Sequence, residues 1–214
     1  VQRGNNRSAC FANDDDYIAY AHWLKEGAEK YGIAVHAWVF MTNHVHLLVT
    51  PGDDNTVSLL MQYIGRFYVR RFNFVYNRTG TLWEGRYKSS LVDNERYVLA
   101  CYRYIEMNPV VAHMVSGPSD YRWSSYHANA RGIDSDLHTP HPSYLSLSRS
   151  KSARLLAYRT LFAQSDTGYL DSEISWGIQK GLAAGSSKFK AEIEALTDVA
   201  QELKPRGPSK GLKK

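Results

Sequence analysis

The chain has 214 residues, 43% apolar and 22% charged, which is the composition of a folded globular protein rather than a disordered or fibrous one. No run approaches the ~20 apolar residues that span a bilayer, and the two cysteines, Cys10 and Cys101, form neither a disulfide framework nor a thiolate metal cluster. A net charge of +5 and a pI near 9.1 favour a polyanionic partner, and a reducing cytoplasm is the expected compartment.

In chain order, residues 1–7 read as the end of a strand running into a Gly-Asn-Asn turn. Asp14–Tyr31 is predicted to be a helix: Asp14, Asp15 and Asp16 suit its N-terminus, Gly32 stops it, and Tyr17, Ala21, Leu24 and Ala28 share one face. Strands are expected at 33–40 and His44–Thr50, joined by the short connection Met41-Thr42-Asn43. Pro51 and a Gly-Asp-Asp-Asn cluster break the sheet. A second helix over 57–75 follows, with Asn55 or Thr56 as its cap. Residues 82–92 read as a further strand, and Asp93 or Asn94 caps a third helix that ends near Met107, before Asn108-Pro109.

The first six elements spell βαββαβ, the order of a ferredoxin-like α+β fold: an antiparallel sheet with helices on one face. The third helix is an addition to it. The main domain is expected over residues 1–127 and a Ser-, Pro-, His- and Gly-rich linker over 128–151. A small region of three short helices (152–203) and a basic flexible tail (204–214) complete the chain.

Two constellations carry chemistry. His44 and His46 flank Val45 in a β-type run, so both imidazoles leave one face of a strand while Val45 and Leu47 enter a core. Tyr104 and Asn108 lie four apart on the third helix and share a face. If that face meets the His pair, a phenol nucleophile joins two imidazoles and an amide oxygen suited to a divalent cation, Mg2+ or Mn2+. A phenol with a pKa of ~10 is a poor nucleophile until a nearby cation helps it.

The second constellation is charge. Between Arg66 and Lys88 stand six bases (Arg66, Arg70, Arg71, Arg78, Arg86 and Lys88) against one acid, Glu84, with seven aromatics interleaved. Cations alternating with flat rings suit unpaired nucleic acid. Six phosphate contacts would give a salt slope of about −4 on single strands. Glu84 and Glu106 are expected to be solvated, and His113, His127, His138 and His141 to lie in loops or at the surface.

His44-Val45-His46 followed by a helix bearing Tyr104 resembles the single-tyrosine HUH nucleases. Within them the nearer likeness is to the IS200/IS605-type transposases and their REP-associated tyrosine transposases. The strings that carry it are Gln2-Arg3-Gly4-Asn5-Asn6-Arg7, Met41-Thr42-Asn43-His44-Val45-His46-Leu47-Leu48-Val49, Tyr104-Ile105-Glu106-Met107-Asn108-Pro109-Val110 and Trp123-Ser124-Ser125-Tyr126. The resemblance implies His44 and His46 as metal ligands and Tyr104 as the nucleophile. Asn108 stands where many relatives carry Gln. It also implies hairpin-bearing single-stranded DNA, such as a REP-like palindrome, as substrate, a 5′-phosphotyrosine intermediate, and a nucleoid-associated monomer or homodimer. Val1-Gln2-Arg3 looks like the middle of the family's first strand. Two other readings compete. A non-catalytic ferredoxin-like module that holds single-stranded nucleic acid would leave the coincidence of Tyr104 with the His pair unexplained. A relaxase would need another His and an earlier tyrosine.

Overall fold

The computed structural model describes residues 1–93, 95–163 and 168–201; the expected tail at 204–214 and the cap at Asn94 lie outside them. Strand β1 (Gln2–Arg3) precedes helix α1 (Asp14–Tyr31), the hairpin β2 (Ala34–Met41) and β3 (His44–Thr50), α2 (Thr56–Val75) and α3 (Glu95–Val111). Among the described residues five shorter helices follow: α4 (Tyr126–Arg131), α5 (Pro142–Leu145), α6 (Lys151–Ala163), α7 (Gly168–Lys180) and α8 (Ser187–Thr197). The three strands form an antiparallel sheet in the order β1-β3-β2.

Local sequence sets the frame. Asn13 accepts from the backbone of Asp16 and the Asp16 carboxylate reaches back, a capping box that opens α1, and Gly32 closes it in the left-handed region at φ 64°. Asp16 is fully buried. Its Oδ1 lies 2.7 Å from Arg71 and its Oδ2 accepts from Tyr76 at 2.7 Å, so one carboxylate locks the start of α1 to the end of α2.

The sheet separates two cores. Val45, Leu47 and Val49 face α1 and α2, where Phe11, Tyr20, Phe40, Tyr68 and Trp83 pack edge to face and stacked. Ala37, Val39 and Met41 face the other way, onto Val98, Tyr102 and Ile105 of α3 and Tyr158 of α6. The period-2 alternation therefore sends Val45, Leu47 and Val49 to one side and the histidines, with Leu48, to the side of α3.

Three expectations are corrected. Residues 82–92 do not form a regular strand. Asn5 N donates to Leu82 O and Glu84 N to Arg3 O, so a continuing antiparallel ladder would bring Arg86 to Val1 O. The bond comes instead from Lys88, two residues late, because Gly85 turns into the left-handed region at φ 75° and the chain bulges. Helix α3 does not stop before Asn108-Pro109. It runs to Val111, because Pro109 falls in the last turn and its own carbonyl accepts from Met114. The stretch 128–151 is built into the fold: it contains α5 and the end of α4, and buries Asn129, Ala130 and Tyr144. Ahead of it, Trp123 O accepts from Phe40 and Ser125 N donates to Trp38 O, so the Trp-Ser-Ser-Tyr string covers the outer edge of β2.

Candidate active site

The hairpin and α3 bring the expected residues together. His44 and His46 have ring centroids 5.1 Å apart, and the Tyr104 ring stands edge-on to His46 at 5.6 Å. Asn108, one turn beyond Tyr104, donates from Nδ2 to the Tyr104 carbonyl at 2.7 Å and is a side-chain hydrogen-bond partner of His44. His44 Nδ1 also meets Asn43 Oδ1 at 2.7 Å, which fixes its ring.

Electrostatics keep both imidazoles neutral. Burial, reinforced by the charge of Arg3, brings His44 down to about 4, against the Asn108 bond that favours its charged form. His46 is held well below the ordinary histidine value by burial first, then by His44 and nearby positive charge. Neutral imidazole is the form that ligates a metal. Among the described residues the buried Nδ1 of His46 has no hydrogen-bond partner, a defect that costs ~1–3 kcal/mol in a closed core and is what a ligand site tolerates. Among the described residues no group of three or more His, Cys, Asp and Glu could hold a metal. The donor set that fits one is therefore two imidazoles and the Asn108 amide oxygen, which faces His44 while Nδ2 is held by the Tyr104 carbonyl.

Tyr104 is half-buried, neither sealed in the core nor on the far side of the sheet. Burial raises its phenol, while a bond from Ser175 of α7 and the charge of Arg3 work in the opposite direction. Ile174 and Ile178 of α7 pack beside it. The site opens into a cavity of about 630 Å³ bordered by His46, Leu48, Lys88, Val92, Tyr104 and Ile174.

The basic window divides. Arg66 and Arg70 are exposed on α2, across the sheet from the His pair, and Arg86 is exposed on the bulge. Lys88 borders the cavity, where its Nζ donates to Gln179 O at 3.1 Å. Arg71 is a structural residue, committed to Asp16, and Arg78 covers the Phe72 ring at 5.4 Å. Glu84 is exposed as expected. Glu106 is not: it is fully buried and accepts from Ser125, Asn129 and Tyr158. His138 is partly buried against Trp38, where burial lowers it to about 4. Sequence reasoning missed Ser175, and no local signal marks a serine on an amphipathic helix so far along the chain as a neighbour of Tyr104.

Known proteins resemble this chain in sequence and in fold. The chain is 24% identical over 127 residues to a REP-associated tyrosine transposase of Haemophilus influenzae, covering 54% of this chain and 72% of that protein. A solved REP-associated tyrosine transposase bound to a REP hairpin superposes with a TM-score of 0.50 at 23% identity, over 66% of this chain and 82% of that one, a likeness of fold. The family model for IS200-like transposases matches residues 1–108, which include the His pair, Tyr104 and Asn108, and the chain belongs to that family.

Proposed function

We propose that this transposase is a metal-dependent endonuclease and strand transferase that cuts and rejoins single-stranded DNA near hairpins through a 5′-phosphotyrosine link. One observation carries the reading: the Tyr104 ring lies 5.6 Å from His46 within a cluster completed by His44 and Asn108. The sheet is then a ferredoxin-like one whose fourth strand is displaced into the 82–88 bulge.

In this mechanism the Tyr104 oxygen bonds to phosphorus as the P–O3′ bond breaks. The phenol proton passes to solvent, the departing oxygen is protonated, and a free 3′-OH results. A later 3′-OH reverses the exchange, so rejoining needs no external energy. His44, His46 and Asn108 would hold Mg2+ or Mn2+, which when bound polarises the phosphodiester and neutralises charge. Asn108 also anchors the helix turn that presents Tyr104. The hairpin held by the solved relative supports hairpin DNA as substrate.

Labelled hairpin-bearing single-stranded DNA, incubated with the protein and Mg2+, should give a covalent adduct on a denaturing gel. Tyr104→Phe should abolish it with DNA binding intact, and His44→Ala should lose cleavage with little change in affinity. Binding without cleavage by the wild type, across Mg2+ and Mn2+, would favour the non-catalytic module. Full cleavage in chelator would remove the metal from the reading.

A further inference from the structure

Arg3 is the Cα partner of His44 in the β1–β3 pair, as Gln2 is of Val45. Directly opposed residues of an antiparallel pair project from one face with Cβ atoms ~5 Å apart. Gln2 is accordingly buried on the Val45 side, and Arg3 leaves the sheet on the side of His44, His46 and Tyr104. Arg3 is exposed, and among the described residues no carboxylate lies within ion-pair distance of it. Its charge is felt by His44, His46 and Tyr104 alike. Lys88, which borders the cavity, already donates to Gln179 O.

We infer that Arg3 binds the non-bridging oxygens of the phosphate attacked by Tyr104, and so is a catalytic residue that stabilises charge on the phosphoryl group as the bond exchange proceeds. The inference rests on the tyrosine-transesterase reading above. A guanidinium presents parallel N–H donors that match two phosphate oxygens, and the paired strand fixes the backbone from which it projects before DNA arrives. The imidazoles and Asn108 flank the same phosphate, so Arg3 closes the anionic side that they leave open. Charge on those oxygens grows toward the transition state, so the contact accelerates the exchange more than it tightens binding.

The test compares wild type with Arg3→Ala and Arg3→Lys in single-turnover reactions on labelled hairpin-bearing DNA with Mg2+, scoring both cleaved strand and covalent adduct. At saturating DNA, Arg3→Ala should slow both by about 100-fold or more, and Arg3→Lys should recover part of that loss. In a Tyr104→Phe background, Arg3→Ala should weaken binding of the normal strand several-fold. It should not weaken binding of a strand carrying an uncharged methylphosphonate at the cleaved linkage. A wild-type rate at saturation for Arg3→Ala, or equal loss of affinity for both strands, would overturn the assignment. Wild-type cleavage without adduct would overturn the tyrosine reading instead, while the role of Arg3 would still be read from the cleaved strand. Arg3 is exposed, so thermal midpoints should match; if Arg3→Ala unfolds, Arg3→Lys decides by the same two measurements.

Discussion

Tyr158 of α6 donates a 2.7 Å hydrogen bond to Oε2 of Glu106 at the centre of α3, with both side chains sealed from solvent. Ser125 and Asn129 donate to the other oxygen at 2.6 and 2.8 Å, so one carboxyl group ties the Tyr104 helix to α4, α6 and the edge of β2.

That carboxyl makes stability depend on pH. Burial raises Glu106 to about 7, against three hydrogen bonds that favour its ionised form. Unfolded, it ionises near 4.5. Between these values the folded state binds more protons, so its contribution is full below pH ~4.5, fades as pH rises and is gone above ~7. The upper bound is on the order of 3 kcal/mol. Glu106→Gln, with the same shape and no charge, should flatten this part of the profile, measured as the difference between urea midpoints at pH 5 and pH 8.

Arg71 and its neighbours on α2 should separate by phenotype. Arg71→Ala leaves the Asp16 carboxylate buried without its cation and is expected to cost about 1–3 kcal/mol, discounted for the partly exposed guanidinium. Arg66→Ala and Arg70→Ala should leave the thermal midpoint unchanged and weaken DNA. With Arg3, Arg66, Arg70 and Arg86 as phosphate contacts and Lys88 held by Gln179, the salt slope should be about −3, shallower than the −4 that all six bases of the 66–88 window would give. Affinity titrations from 50 to 200 mM salt read it directly.

Asn108→Ala should raise the Mg2+ concentration for half-maximal adduct by ~10-fold or more. DNA affinity in chelator should stay the same. An unchanged Mg2+ requirement would reduce Asn108 to its bond with the Tyr104 carbonyl.

Ser175→Ala should slow adduct formation about 2–10-fold at saturating DNA, the worth of one ordinary hydrogen bond at the phenol. Faster adduct formation would mean that α7 restrains Tyr104 rather than seating it.

Period and spacing made much of this legible. His44 and His46 share a face because strands alternate, and Asn108 follows Tyr104 by one helical turn because helices repeat. The limits of α1, β3 and α2 followed from Asp, Gly and Pro punctuation. What escaped depends on partners distant in sequence. Arg71 looks like a free surface base until Asp16, 55 residues earlier, is found beneath it. Glu106 reads as solvated because its three donors come from beyond residue 120. The fourth strand failed at a single glycine, Gly85, whose backbone freedom no hydrophobic alternation reveals.

The phenol, the imidazole pair and the amide all come from one polypeptide, so in the proposed reaction a solitary molecule supplies each group assigned to the first cut. Adduct formation should then be first order in enzyme down to nanomolar dilution, with one nicked strand captured per copy. Mixing Tyr104→Phe with His44→Ala should restore nothing, since neither variant lends its intact half to the other.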